Sequence, residues 1–136
     1  MVVKGSCQCG AVKYTASGRP KIVVACHCLE CQKLSTGPFS VTAIYDAKSI
    51  SFQGRMGEWS RVADSGNCNV AKFCLSCGNR IYQYNPDQME IVKLKLKPVD
   101  RELAAFFEPS VHIWTSQKVP WYVIPEGVEV FDANRV

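Results

Sequence analysis

Cys7-Gln8-Cys9-Gly10 near the start of the chain, Cys26-His27-Cys28-Leu29-Glu30-Cys31 after it and Cys74-Leu75-Ser76-Cys77-Gly78 in the second half hold seven of the eight cysteines in 136 residues. Thiolates one or two residues apart can turn toward one tetrahedral ion at Zn–S distances of about 2.3 Å, so such spacing points first to zinc. A structural zinc takes four closed ligands, and two pairs far apart in sequence supply them by drawing distant strands together. Cys7, Cys9, Cys74 and Cys77 meet that need. Cys26, Cys28 and Cys31 are then three ligands with no evident fourth, the pattern of a catalytic zinc that keeps one position for water or substrate. Gly10 and Gly78 follow ligands, where a positive φ lets backbone amides approach sulfur.

Three competing readings bear on these clusters. An even number of cysteines can form a secreted disulfide scaffold, but Met1-Val2-Val3-Lys4 runs straight into the first cluster without an apolar leader. Both metal sites can also be structural, making the chain a zinc-stapled binding module. Cys68, six residues before Cys74, decides part of this. As fourth ligand to Cys26, Cys28 and Cys31 it would close the second site, whereas an idle or buried thiol leaves that site open.

With 47% hydrophobic residues, the chain has enough apolar material for one domain spanning residues 1–136. Its formal charge of +4 falls short of a nucleic-acid footprint. Zinc thiolate centres would bring it nearer neutral. The longest apolar run, near Ile22 to Cys26, is far below the roughly 20 residues that span a bilayer, so we expect a soluble, cytoplasmic protein with no membrane partner. No dinucleotide fingerprint or phosphate loop supports a nucleotide cofactor.

β-branched and aromatic runs at residues 11–15, 21–25, 41–45, 50–52, 80–84, 90–96, 111–114 and 128–131, with glycine and proline turns between them, predict a mainly β fold. Short helices are expected only over residues 28–34 and 100–106, the latter capped by Asp100. The alternation in Glu90 to Lys97 puts its lysines on a solvated face. His27 should point away from the metal and His112 should be a half-buried strand histidine. Trp59, Trp114 and Trp121 are first read as core fillers.

Gly5-Ser6-Cys7-Gln8-Cys9-Gly10-Ala11-Val12, Cys26-His27-Cys28 with Cys31-Gln32-Lys33, Ser65-Gly66, Phe73-Cys74 with Cys77-Gly78, and Pro109 to Trp114 with Lys118 to Trp121 together resemble the glutathione-dependent formaldehyde-activating enzyme family, over nearly the whole chain. The resemblance implies a small β-tent, zinc-ribbon-like fold with two zinc ions. Cys7, Cys9, Cys74 and Cys77 would hold the structural ion, and Cys26, Cys28 and Cys31 the catalytic one. It also implies a carbon–sulfur lyase-type activity, in which glutathione and formaldehyde condense to S-hydroxymethylglutathione. Zinc would act either by holding the thiol as thiolate or by polarising the aldehyde oxygen. Lys33, Arg61 and Lys72 are candidates to meet glutathione carboxylates, against the default of exposed, solvated cations. Asn79 stands where the family pattern suggests Ser or Thr, a change expected to be minor.

Overall fold

The computed structural model describes residues 1–135 and carries eleven strands and two short helices. In chain order these are β1 (Val2–Ser6), β2 (Lys13–Ser17), β3 (Ile22–Cys26), α1 (Leu29–Ser35), β4 (Ser40–Asp46), β5 (Ile50–Gln53), β6 (Met56–Val62), β7 (Cys68–Cys74), β8 (Arg80–Tyr84), β9 (Ile91–Leu94), α2 (Arg101–Ala104), β10 (Val111–Ile113) and β11 (Glu129–Val130). The fold is mainly β, as the residue periodicity predicts. β1, β2 and β5 form a three-stranded antiparallel sheet in the order β1-β2-β5. The other eight strands form a sheet of order β11-β10-β3-β4-β9-β8-β7-β6, in which β10 runs parallel to β3 and β11. Neither sheet closes into a barrel among the described residues.

Strand alternation divides the eight-stranded sheet into two unlike faces. Val23, Ala43, Tyr45 and Leu94 point to one side and join Val3, Tyr14 and Ala16 of the small sheet, with Phe107, in the main apolar core. Gly5 makes this packing possible, because a Cβ there would fall on the Tyr14 ring. The Tyr14 hydroxyl donates to the Leu96 carbonyl at 2.9 Å, so the buried ring keeps its polar end paired. A second cluster gathers Val12 and Ile81 around Cys7 and Cys74.

The opposite face is polar. Val24 lies across from Thr42, Ile44 across from Lys93, Gln83 between Lys93 and Ala71, and Arg61 across from Asn69. These residues line a cleft together with Cys26, Cys28 and Cys31. This corrects the expectation of a solvated lysine face. β9 alternates as its sequence predicts, but it lies between β4 and β8. The polar side chains of Lys93 and Lys95 therefore enter the cleft, and Lys97, beyond the strand, is the exposed one.

Asp100 caps α2, its carboxylate accepting from the Glu102 amide at 2.8 Å. Three strands are absent from the sequence-based expectation: β1, β6 and β7. β6 interleaves Gly57, Glu58, Ser60 and Arg61 with few buried positions, so no apolar alternation marks it. β7 begins and ends on cysteines, Cys68 and Cys74, whose spacing signals metal ligation rather than a strand.

Candidate metal centres and their cleft

The first cysteine set comes together where β7 ends against the β1–β2 turn. The sulfurs of Cys7, Cys9, Cys74 and Cys77 all lie within 4.8 Å of one another. Cys7 Sγ to Cys9 Sγ and Cys9 Sγ to Cys74 Sγ are each 3.7 Å. A disulfide requires about 2.05 Å, whereas a tetrahedral ion with bonds of about 2.3 Å sets its sulfurs about 3.8 Å apart. The donor set therefore fits zinc and excludes a disulfide at this place.

Backbone amides complete the cradle. Val12 N–H donates to Cys7 Sγ at 3.2 Å, and the amides of Ser76 and Cys77 donate to Cys74 Sγ at 3.4 and 3.5 Å. The turns that aim these amides close at Gly10 (φ +83°) and Gly78 (φ +75°). Burial pushes the Cys7 thiol up, but the Val12 amide and the neighbouring sulfurs outweigh it and bring Cys7 down to about 6. Asn79 matters more here than its sequence position suggested. Its Oδ1 accepts from the Gln8 amide at 3.0 Å and its carbonyl accepts from the Cys74 amide at 3.0 Å, tying the two knuckles to each other.

Cys26, Cys28 and Cys31 form the second set, also within 4.8 Å of one another. Cys26 ends β3, and Cys28 caps α1, its sulfur accepting from the Cys31 amide at 3.3 Å. Hydrogen bonds among the three sulfurs favour ionisation at Cys31 and strongly disfavour it at Cys26. Three thiolates so close need a cation, which is the condition a metal satisfies. Cys68 does not join them. It lies opposite Val62 at the start of β7, and its neighbour Asn69 is the residue that faces the cleft.

The loop that carries this second set is pinned from behind. His27 and His112 are both buried, with His27 Nε2 2.7 Å from His112 Nδ1. His27 Nδ1 is buried without a partner. An unpaired buried acceptor is cheaper than an unpaired donor, so we assign the His27 proton to Nε2, donating to His112 Nδ1. Burial, then the charges of His112 and Lys118, hold His27 down to about 4, and burial lowers His112 as well. Phe39 and Tyr122 pack around the pair. His27 N–H donates to the Ile113 carbonyl at 3.0 Å, Gln32 Nε2 donates to the carbonyls of His27 and Gln117 at 2.8 and 2.9 Å, and Leu29 N–H donates to Gln117 Oε1 at 2.8 Å.

In front of the three sulfurs opens a cleft of about 650 Å³. It includes Trp114, whose backbone takes the left-handed conformation (φ 55°) where β10 turns toward Gln117. Trp59 stands on an adjoining wall, half exposed, while Trp121 projects into solvent at 71% exposure. None of the three is a core filler. Of the cations named from sequence, Arg61 lines the cleft, Lys33 pairs with Glu30 at 3.0 Å, and Lys72 pairs with Glu58 at 3.4 Å on the sheet's other face. The sequence reading missed Arg80, Lys93 and Lys95 as cleft residues. Alternation was the available signal for Lys93 and Lys95, whereas Arg80 reaches the same face as Gln83 only through the register shift in the β7–β8 pairing, which nothing local in the sequence marks.

A mainly β scaffold with two cysteine clusters fit to hold metal ions, one of them opening on a cleft, defines the class. The chain belongs to the glutathione-dependent formaldehyde-activating enzyme family, whose sequence model matches residues 2–117. A protein of Halomonas elongata named "Putative glutathione-dependent formaldehyde-activating enzyme" is 26% identical over 132 residues, covering 91% of this chain and 82% of that one. A crystal structure of a Rhodobacter sphaeroides protein overlaps 68% of this chain and 83% of its own with a TM-score of 0.48 and 17% identity, a likeness too slight to bear on function. No helix among the described residues is long and apolar enough to cross a membrane.

Proposed function

We propose that the chain, as one domain over residues 1–136, is a zinc-dependent enzyme of the carbon–sulfur lyase type that joins a small aldehyde to the thiol of glutathione or a related thiol, and reverses that step. The observation that carries this reading is the Cys26, Cys28 and Cys31 cluster, which faces a cleft while Cys68 lies elsewhere. In the forward direction a carbon–sulfur bond forms, the carbonyl becomes a hydroxyl, and the thiol proton ends on that oxygen. A zinc ion held by these three thiolates would supply Lewis acidity beside the cleft. Cys26, Cys28 and Cys31 hold that ion, and the His27, Gln32 and Gln117 contacts keep their loop in place against β10. The other set, Cys7, Cys9, Cys74 and Cys77, holds a second, structural zinc. Eight cysteines with none in a disulfide suit a reducing compartment, and we assign the protein to the cytoplasm.

Cobalt substitution tests the reading. Glutathione should produce a thiolate-to-cobalt absorption band, and adduct formation should exceed both the uncatalysed rate and that of Cys28→Ser. Cys68→Ser should keep both metals and full activity. A spectrum unmoved by glutathione or other small thiols, with loss of one metal in Cys68→Ser, would instead indicate a non-catalytic, metal-stapled binding module.

A further inference from the structure

Four cations converge on the cleft without carboxylate partners. Lys33 is neutralised by Glu30 and Arg135 by Glu129, but Arg61, Arg80, Lys93 and Lys95 make no ion pair among the described residues. All four are half-buried. Lys95 is held between β9 and β4, its ammonium donating to Ser40 Oγ at 3.3 Å and Thr42 Oγ1 at 2.5 Å. Desolvation lowers its basicity, against the sulfurs of Cys31 and Cys26, which raise it, and the charges of Lys93 and Arg80 add smaller lowering effects. Crowding like charges on one sheet face costs stability, and proteins retain such conflicts chiefly where function uses them.

The charge balance sets the kind of ligand. Three thiolates around a divalent ion carry a net charge of −1. The one further unpaired acid on these walls is Asp64, which is exposed. Four cations against these two negative charges leave a surplus of about two positive charges beside the open metal position. One more unmet group lies there. Asn69 Nδ2 donates to Gln83 Oε1 at 3.0 Å, but Asn69 Oδ1 is buried without a donor. The walls thus lack anionic acceptors and at least one N–H donor, a need that a small peptide-like molecule with carboxylates meets.

We propose that Arg61, Arg80, Lys93 and Lys95 form the specificity wall of the site, selecting small thiols that carry carboxylates and rejecting neutral or cationic thiols. This rests on the thiol reading above and adds to it the basis of substrate choice. Arg61 is the most informative of the four. It stands on the sheet's edge strand, away from both cysteine sets in sequence, and lines both parts of the cleft. Its planar fork can hold a carboxylate through two parallel hydrogen bonds.

The test uses metal-loaded protein and S-methylglutathione, which keeps the carboxylates of glutathione but has no thiol to ionise. Calorimetry should show binding that weakens with salt and falls at least tenfold for the diethyl ester. Arg61→Gln should weaken it about ten- to hundredfold, the worth of a charge-assisted hydrogen bond, with Arg61→Lys between. Lys93→Gln should act in the same direction and guards against a local folding defect in one variant. Lys72→Gln, on the other face, should bind as wild type. In turnover, the losses should appear in KM for glutathione, with KM for 2-mercaptoethanol unmoved. Equal affinity for acid and ester, wild-type affinity in both Arg61→Gln and Lys93→Gln, or no binding of S-methylglutathione would overturn the proposal. The two readings fail separately. A glutathione-to-cobalt band indifferent to carboxylates removes the wall and leaves the thiol reading. Charge-dependent binding of S-methylglutathione without any thiol band does the reverse.

Discussion

Replacing His112 by Phe should cost far more than its change in volume suggests, and replacing His27 as well should give most of that cost back. Among the described residues His112 Nδ1 is the one hydrogen-bond partner of the buried His27 Nε2, at 2.7 Å, and His27 Nδ1 has none. His112→Phe keeps a ring of similar size but strands that donor, which costs about 1–3 kcal/mol. His27→Phe leaves only an unpaired acceptor on His112 and should cost less, about 1 kcal/mol. With both rings apolar no polar group is stranded, so His27→Phe/His112→Phe should fall well short of the sum. His112→Ala is the severe case. It adds the loss of a ring packed at 5.0–6.3 Å centroid distances against His27, Phe39 and Tyr122, on the scale of a buried aromatic truncation of about 3–5 kcal/mol. Urea unfolding at saturating zinc measures the cycle. Chelator competition alongside it should show the Cys26, Cys28 and Cys31 ion held less tightly in His112→Phe, because His27 sits between two of its ligands. Strictly additive single and double effects would refute the assigned pairing.

Asn79→Ala should cost about 1 kcal/mol through the lost Gln8 contact, and chelation kinetics should show zinc leaving the four-cysteine site faster while the other site is unchanged. Gly5→Ala should destabilise the fold by about 1–3 kcal/mol through overlap with Tyr14 and so lower the melting temperature, and Gly5→Ala/Tyr14→Leu should recover part of it. Burial raises Tyr14, with Tyr45 adding to it, and burial alone pushes Tyr45 up to about 12. With folded values above the unfolded value of about 10, their contribution is complete below pH 10 and is lost as pH rises beyond it. Urea midpoints between pH 8 and 11.5 should therefore fall less steeply in Tyr45→Phe than in wild type.

The sequence made the metal grammar and the strand rhythm readable, because both are local. CxC, CxxCG and CxCxxC mark candidate ligands by spacing alone, and the segment around Arg80 to Tyr84 declares a strand by its residue types. What stayed hidden depended on which element covers which face. Lys93 and Lys95 alternate as solvent-facing residues do, and only the position of β9 in the sheet turns that polar stripe into a cleft wall. His27 and His112 are 85 residues apart, and nothing local marks either as half of a buried pair. Asn79 likewise looked like a minor departure until its Oδ1 met an amide 71 residues away.

The two cysteine sets differ most in how much chain they fix. Cys9 and Cys74 are 65 residues apart, and the entropy removed from an unfolded chain by tying such a loop amounts to about 4 kcal/mol in a simple cross-link treatment. The same treatment gives about 2 kcal/mol for the short Cys26 to Cys31 loop. That difference is reinforced by packing. Cys7 and Cys74 are buried with Val12 and Ile81 in a core cluster, so a metal there is part of the fold's interior. Cys28 and Cys31 are only half-buried, and their loop is held by His112, Gln117 and the Ile113 carbonyl without any help from a metal. If these cysteines take a metal, a frame held by such contacts would allow an open coordination position, because stability would not demand a fourth ligand. The long-range site has the opposite requirement: with an ion bound, four closed ligands would hold the end of β7 against the β1–β2 turn.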